Sequence, residues 1–425
     1  MKQVKAVIIG AGSRGSGYAL FQLDFPHRFK VVGVADPIKI RVKKIQEKYS
    51  IPDEHTFSDW SEFVKCDKFA DAVIVTTPDI LHKGPAVACA DKGYHILLEK
   101  PMAVTEEDCR QIAQACERNN VMLAVCHVLR YHPPLMKVKE LIESDVIGDV
   151  VNIQHTEPIG YWHFAHSFVR GNWREEKSST FSLLAKSCHD LDLLRYWMGK
   201  HRCTQVSSFG SLQHFKKENK PVGAGSRCLD CSVEANCPYS AKKIYLDKVE
   251  MKYREWPINV ISEIPDVESV TEALRSGPYG RCVYECDNDV CDNQVVNFTF
   301  EEGRTASFTM IAFTEKVCQR QTKVYGTRGE ITSEGKGPVY VYDFNTNKTT
   351  RHDTATPPSG THLGGHGGAD HFLMDAFVRA VSTNDASHIS TGPQDALASH
   401  LLVFAAEKAR RENRIITINE DYTYQ

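Results

Sequence analysis

The sequence predicts two architectures in succession: an N-terminal α/β domain with a doubly wound parallel sheet, then an α+β domain with a large, mostly antiparallel open sheet. Three observations predict it. Residues 1–125 alternate short apolar runs with helix-like segments. Past about residue 130 the runs become period-2 strands joined by hairpin-like turns. The glycine loop GAGSRG stands directly after the first run. The first domain is expected over 1–127 and the second over 128–425, with a polar, Cys- and Pro-containing insertion at about 215–290.

Strands are expected first at 4–9, 30–35, 72–76, 94–98 and 121–126, runs rich in Val, Ile and Leu as in strands covered on both faces. Helices are expected between them at 38–49 and 105–119, the second opened by Thr105 as a hydroxyl cap with Asp108 three residues on. A helix at 134–144 then precedes strands at 149–157, 206–214, 294–300, 305–313, 321–326 and 339–343. Glu301-Glu302-Gly303 reads as a hairpin turn, and helices follow at 183–198, 370–382 and 394–413.

The 51 Lys and Arg nearly balance the 54 Asp and Glu, which argues against binding nucleic acid or an anionic membrane by bulk charge. At 42% hydrophobic and 25% charged, the chain reads as globular rather than disordered. No apolar run approaches the ~20 residues that span a bilayer, so a soluble, cytoplasmic protein is expected. The fourteen cysteines, mostly scattered, read as reduced thiols.

The loop Gly10-Ala11-Gly12-Ser13-Arg14-Gly15 follows a strand, opens a helix and precedes Asp36 at the end of the second strand. That context makes it a dinucleotide site in a Rossmann domain. The first glycine permits the tight turn, the second lets backbone approach a pyrophosphate, and the third lets helix and strand pack. Free N–H groups at the helix start would face the phosphates. Asp36 would accept both adenosine ribose hydroxyls and repel a 2′-phosphate, favouring NAD. Arg14, Lys39 and Arg41 stand close enough to keep NADP open as the alternative.

Five further motifs occur in order: Thr76-Thr77-Pro78, Glu99-Lys100-Pro101, Arg130-Tyr131-His132-Pro133, Trp173-Arg174, and Cys188-His189-Asp190-Leu191-Asp192-Leu193-Leu194. Together they make essentially the whole chain resemble the glucose–fructose oxidoreductase / inositol dehydrogenase / MocA family. The resemblance implies nicotinamide-dependent oxidation or reduction of a ring hydroxyl or keto group of a sugar, sugar acid or cyclitol. It implies Lys100 and His189 as catalytic residues. It implies cofactor contacts from Gly10, Gly12, Ser13, Arg14, Gly15, Asp36, Thr76, Thr77, Pro78, His82, Glu99, Lys100 and Arg130. It also implies a homodimer or homotetramer formed through the C-terminal sheet.

The residues support that chemistry independently. Lys100 ends a parallel strand, the edge where open α/β sheets bind ligands, and its ammonium can donate to a substrate oxygen. His189 is a plausible base for the hydroxyl proton, with Asp192 one turn on to orient it. Many relatives carry an aspartate four residues before this histidine; here Ala185 stands there, followed by Lys186, which suggests either a counter-charge for an acidic substrate or, equally, altered chemistry. The segment GYWHFAHSFVRGNWR offers His163, His166, Arg170, Asn172 and Trp173 for clamping a sugar ring. His366 and Asp370 could reach the site from the glycine-rich segment THLGGHGGAD.

Cys228, Cys231 and Cys237, with Cys282 and then Cys286 as the candidate fourth ligand, have the spacing of a structural zinc site that would stabilise an insertion poor in apolar residues. An iron–sulfur cluster, disulfides and metal-free thiols are the alternatives. Two rival functions also stand. One is an NAD-dependent glycosidase working by transient oxidation, elimination, water addition and re-reduction. The other is a non-catalytic NAD-binding sensor or scaffold.

Overall fold

The computed structural model describes residues 2–356 and 358–424. Six parallel strands form the first sheet: β1 (Val4–Ile9), β2 (Phe29–Ala35), β3 (Thr56–Phe57), β4 (Ala72–Val75), β5 (His95–Leu98) and β6 (Leu123–Val125). Their order is β3-β2-β1-β4-β5-β6. The chain starts in the middle, builds outward through β2 and β3, then returns to β4 on the other side of β1. That reversal opens a crevice beyond the carboxyl ends of β1 and β4. β4, Ala-Val-Ile-Val, is buried throughout because helices cover both faces. β3 is absent from the sequence expectation; two residues at a sheet edge leave no apolar run to detect.

Helices α1 (Ser13–Ala19), α2 (Lys39–Tyr49), α3 (Lys83–Asp91) and α4 (Glu106–Arg118) lie between the strands. Thr105 caps α4 as expected, its hydroxyl accepting the Asp108 N–H at 3.1 Å. Glu106, Glu107 and Asp108 complement the positive end of the helix dipole.

After helix α5 (Pro133–Glu143), nine strands form the second sheet among the described residues. These are β7 (Val150–Pro158), β8 (Cys203–Ser211), β9 (Asn293–Phe300), β10 (Thr305–Ile311), β11 (Gln321–Gly326), β12 (Gly329–Ser333), β13 (Val339–Asp343), β14 (Lys348–His352) and β15 (Ile416–Thr417). The order is β14-β13-β12-β11-β7-β10-β9-β8-β15, antiparallel except for β7 beside β10. The turn between β9 and β10 puts Glu302 at φ 60° and Gly303 at φ 77°. β12, β14 and β15 were not expected: β14 reads Lys-Thr-Thr-Arg-His, with no apolar alternation, and β15 has two residues.

Helices α6 (Ser182–Met198) and, nearer the C-terminus, α9 (Pro393–Glu412) pack together against one face of this sheet. Between them in sequence come α7 (Val267–Ser276) and α8 (Ala369–Thr383). The opposite face carries Phe209 and Val295 directly paired across β8 and β9, 59% and 38% exposed.

The insertion corrects one expectation. It is not too poor in apolar residues to build a core: Ile244, Tyr245, Val249, Ile258, Val270, Leu274 and Tyr279 form one of their own.

Buried polar pairs lock the two sheets together. Arg130 donates to both oxygens of Asp192 on α6, at 2.7 and 2.6 Å, and Ser399 on α9 donates to Asp192 at 2.6 Å. His400 on α9 has Nδ1 2.7 Å from the Ala396 carbonyl and accepts the Met102 N–H on Nε2 at 2.8 Å. That pattern requires the neutral ring with its proton on Nδ1.

Burial pushes the histidines down from 6.5, to about 3 for His400 and His166 and about 4 for His132. The unfolded chain therefore takes up these protons below pH 6.5 while the fold refuses them, so stability falls as pH drops from about 6.5 toward 4. Carboxylates such as Asp190, held down at about 2, add their loss only below about pH 4. Thermal unfolding followed across pH 7 to 4.5 should show a steady decline; a flat profile would remove the neutral histidines as a stability determinant.

Candidate active site

The glycine loop folds as its spacing requires. Gly10 sits at φ +93°, and a Cβ on Gly15 would lie 2.1 Å from the Gly10 carbonyl oxygen, so α1 and β1 pack as closely as backbone allows. A Cβ on Gly12 would meet only the Arg41 guanidinium, 3.6 Å away, so the loop is open where a pyrophosphate would approach. No side chain caps α1 at Ser13, which leaves its first N–H groups for phosphate oxygens. The Ala11 and Ile38 N–H groups fix the two oxygens of Asp36 at 2.7 Å each, aiming the carboxylate from the end of β2. Thr76 closes the turn by donating to the Gly10 carbonyl at 2.5 Å, while the Thr77 hydroxyl is buried without a partner among the described residues. An orphaned hydroxyl beside an open glycine loop fits a bound dinucleotide.

Four expected cofactor contacts serve the protein itself. Arg14 donates to Glu99 at 2.6 Å and to both oxygens of Asp370 on α8, at 2.7 and 2.9 Å, and contacts Tyr18. Glu99 accepts from Arg14, Tyr18 and the Lys100 N–H. Burial would raise the Asp370 carboxyl, but Arg14 and His366 outweigh it and hold it far below the usual range. His82 braces two loops, its ring nitrogens 2.7 and 2.9 Å from the Pro101 and Thr77 carbonyls. Arg130 is consumed by Asp192 and contacts the Ser390 carbonyl. Asp192 consequently does not orient His189, correcting that expectation too.

Lys100, at the end of β5, donates through Nζ to the carbonyl of Ala185 in α6 at 2.6 Å. In an α-helix that carbonyl also pairs with the N–H of residue 189, so the ammonium is tethered on the turn that carries His189. The carboxylate missing from position 185 is thus replaced by main chain. His189 is buried, and its Nδ1 has no partner among the described residues. Burial, then Lys100 and His127, hold the imidazole well below its ordinary value, so it is neutral. The His366 ring lies 6.5 Å from that of His189 and is held by Asp370 at 3.0 Å. Trp173 flanks Lys100, its ring centroid 5.9 Å from Nζ, and donates its indole N–H to Asp79 at 2.8 Å.

The other clamp candidates divide. His163 stays beside α6, with Nδ1 3.3 Å from Cys318 Sγ, which lies 3.0 Å from Lys186 Nζ. His166 turns to the insertion, bonding the Tyr245 hydroxyl at 2.9 Å and stacking on Tyr279. Arg170 donates to the Arg281 and Tyr239 carbonyls and to Cys228 Sγ, anchoring the insertion. Asn172 is exposed. Lys186 already has a counter-charge in buried Glu157, 3.3 Å away, which also faces Arg320 at 2.7 Å in ion pairs without aligned hydrogen bonds. Arg320 continues to Asp190, and Asp190 to His155. Sequence reasoning missed Asp79, His127, Glu157, Cys318 and Arg320. Asp79 directly follows Thr76-Thr77-Pro78 and was within reach of it; the rest arrive from distant strands and loops with no local signal.

Cys228, Cys231, Cys237 and Cys282 line one cavity of about 140 Å³ with Arg170 and Tyr284. Among the described residues no three His, Cys, Asp or Glu side chains stand as a metal-binding group, so the expected four-thiolate centre is not formed here. Cys286 turns away, its Sγ 3.3 Å from the Cys282 carbonyl.

Residues 4–127 match the family model described as "Oxidoreductase family, NAD-binding Rossmann fold", and residues 139–418 match the family's C-terminal alpha/beta domain. The chain belongs to the Gfo/Idh/MocA oxidoreductase family. Its N-terminal sheet is therefore a nicotinamide-dinucleotide fold. The oxidoreductase YteT of Bacillus subtilis is 26% identical over 387 residues, 87% of each chain. A 2,7-anhydro-N-acetylneuraminate hydratase of Escherichia coli is 30% identical over 147 residues, 35% of this chain and 38% of that protein. Against several curated relatives of this kind the chain spans only about two fifths of their length. A levoglucosan dehydrogenase solved with NADH and L-sorbose shares the fold at TM-score 0.71 and 18% identity, covering 99% of this chain and all of that one.

Arg14 tests whether this cluster is structural. Arg14→Ala strands Glu99 and Asp370, and with the arginine a third exposed the cost should be about 2 kcal/mol, below that of a fully buried pair. Urea unfolding measures it; an unchanged midpoint with weakened NADH binding alone would make Arg14 a cofactor ligand.

Proposed function

We propose that the protein interconverts a ring hydroxyl and a keto group of a sugar, sugar acid or cyclitol, using NAD. The observation that carries this reading is the Lys100 ammonium tethered to the Ala185 carbonyl, on the helix turn that carries neutral His189, at the sheet edge where the dinucleotide cradle opens. When bound, the nicotinamide supplies the two-electron acceptor or donor. The residues handle the rest. Lys100 can exchange the Ala185 carbonyl for a substrate oxygen, polarising it without leaving its place. His189 takes the hydroxyl proton during oxidation and returns it during reduction. Burial first, and the adjacent ammonium second, keep the free imidazole unprotonated, and so ready as a base. Relatives named inositol 2-dehydrogenase and levoglucosan dehydrogenase fit this substrate class.

Lys100→Ala should lower turnover of a sugar or cyclitol screen about 10²–10⁴-fold while NADH binding, read by fluorescence, persists. Near-normal turnover would refute the role. Oxidation by the wild-type protein should lose its base only below pH 6.5, because the His189 shift is downward; an acid limb above pH 7 would assign the base elsewhere.

The hydratase relatives support a second, redox-neutral reading: oxidation next to a leaving group, elimination, water addition and re-reduction. Release of an aglycone with no rise in NADH absorbance would favour it.

We also infer a metal role for the insertion. The four-thiol cavity has the donor set of structural zinc, with the Gly225 N–H and Arg170 Nη2 at 3.4 and 3.3 Å from Cys231 and Cys228 Sγ, donors that suit thiolates. Burial raises the Cys237 and Cys282 thiols, so binding would displace protons and draw the sulfurs inward. Protein purified without chelator should carry about one zinc per chain; under about 0.2 removes the site. The exposed Phe209–Val295 face supports a homo-oligomer, which light scattering in solution tests. The fourteen free cysteines suit a reducing, cytoplasmic setting.

A further inference from the structure

The adenosine end of the cradle receives a residue from far along the chain. Arg41, in the first turn of α2, lies over the glycine loop, and Lys44 follows one turn on. Glu263, in the insertion just before α7, takes both. Its Oε1 accepts from Arg41 Nε at 2.8 Å and its Oε2 from Lys44 Nζ at 2.8 Å. Lys44 also donates to the Glu263 main-chain carbonyl at 3.1 Å, so segment and side chain are both fixed. The three side chains are 33%, 53% and 34% exposed, at the mouth of the groove rather than in the core. Burial tends to raise the Glu263 carboxyl, but the two cations outweigh it and hold it down.

The position gives this clamp a meaning. Asp36 ends β2 beside α2, where an adenosine ribose would present its hydroxyls. A phosphate on the 2′-oxygen would place about two negative charges beside Asp36 and would require compensating cations. Arg41 and Lys44 are paired cations next to that position, and Glu263 occupies a hydrogen-bonding group of each. Other charges on α2 are Lys39, which has no ion pair among the described residues, Lys43, 3.7 Å from Glu47, and Lys48 near the C-terminal end, over the Tyr49 ring. With Glu263 in place the trio carries a net charge of about +1 rather than the +2 that Arg41 and Lys44 would offer by themselves.

We propose that Glu263 is a specificity-determining residue, by which the Cys-rich insertion withholds Arg41 and Lys44 from a 2′-phosphate and makes the site select NAD over NADP. It acts through Arg41 and Lys44 without touching the dinucleotide itself. The inference rests on the reading of Asp36 as the ribose ligand.

Fluorescence titration of full-length protein with NADH and NADPH at low ionic strength tests it. Glu263→Gln should lower the ratio of the NADPH to the NADH dissociation constant about tenfold, and added salt should shrink the gain. Arg41→Ala and Lys44→Ala together in that background should abolish the gain, whereas Arg41→Ala alone should leave the wild-type ratio within about twofold because the guanidinium is already withheld. A ratio unmoved by Glu263→Gln, or a gain that survives loss of both Arg41 and Lys44, overturns the proposal while leaving NAD binding intact. Failure of the wild-type protein to bind either dinucleotide would instead overturn the cradle reading and the proposal with it.

Discussion

From the end of β5 the ammonium of Lys100 reaches the second domain and hangs on the Ala185 carbonyl at 2.6 Å. Everything catalytic in the proposed site depends on that contact, because it sets a group carried at the end of the first sheet against the turn of α6 that carries His189. The surrounding polar network holds the distance. His400 accepts the Met102 N–H just beyond Lys100, His82 ties the Thr77 and Pro101 carbonyls together, and Arg130 joins the domain junction to Asp192. Such buried groups add little net stability, but each is costly to leave unpaired, so together they permit one docking of the two layers.

The same economy of pairing explains the charges near the cleft. Lys186 meets Glu157, Arg320 meets Glu157 and Asp190, and Arg14 meets Glu99 and Asp370. Lys100, unlike these three cations, has no carboxylate partner among the described residues and rests on a neutral carbonyl. Histidines packed among them are driven to the neutral state by burial first and by the cations second. The site therefore combines a free cation with an uncharged base, which suits moving a proton to and from a hydroxyl more than binding a fixed anion.

The insertion belongs to the active architecture rather than hanging from it. Arg170 fastens it near the substrate segment through the Arg281 and Tyr239 carbonyls, and Glu263 fastens it at the adenosine end through α2. A segment held at both ends of a cofactor groove can tune the groove while its own core and thiol-lined cavity keep its shape.

The alternation of buried runs, the glycine loop with Asp36 after it, and the Thr105 cap were legible in the sequence as local patterns, whereas Lys100 and His189 were singled out by the family resemblance and are brought to one turn of α6 by the fold. The short strands β3, β14 and β15 were not legible, since they exist only by pairing with neighbours already in place. Nor were the fates of Arg14, Arg130, Arg170 and Lys186. A sequence shows that an arginine or lysine is present, but its partner is chosen in three dimensions, and here Asp370, Asp192, Cys228 and Glu157 claim them from across the fold. Sequence determined which chemical groups this protein owns and the cofactor fold that frames them. Only tertiary structure decided which charges remain unspent, because the low-dielectric interior makes each buried ion find its counter-charge first.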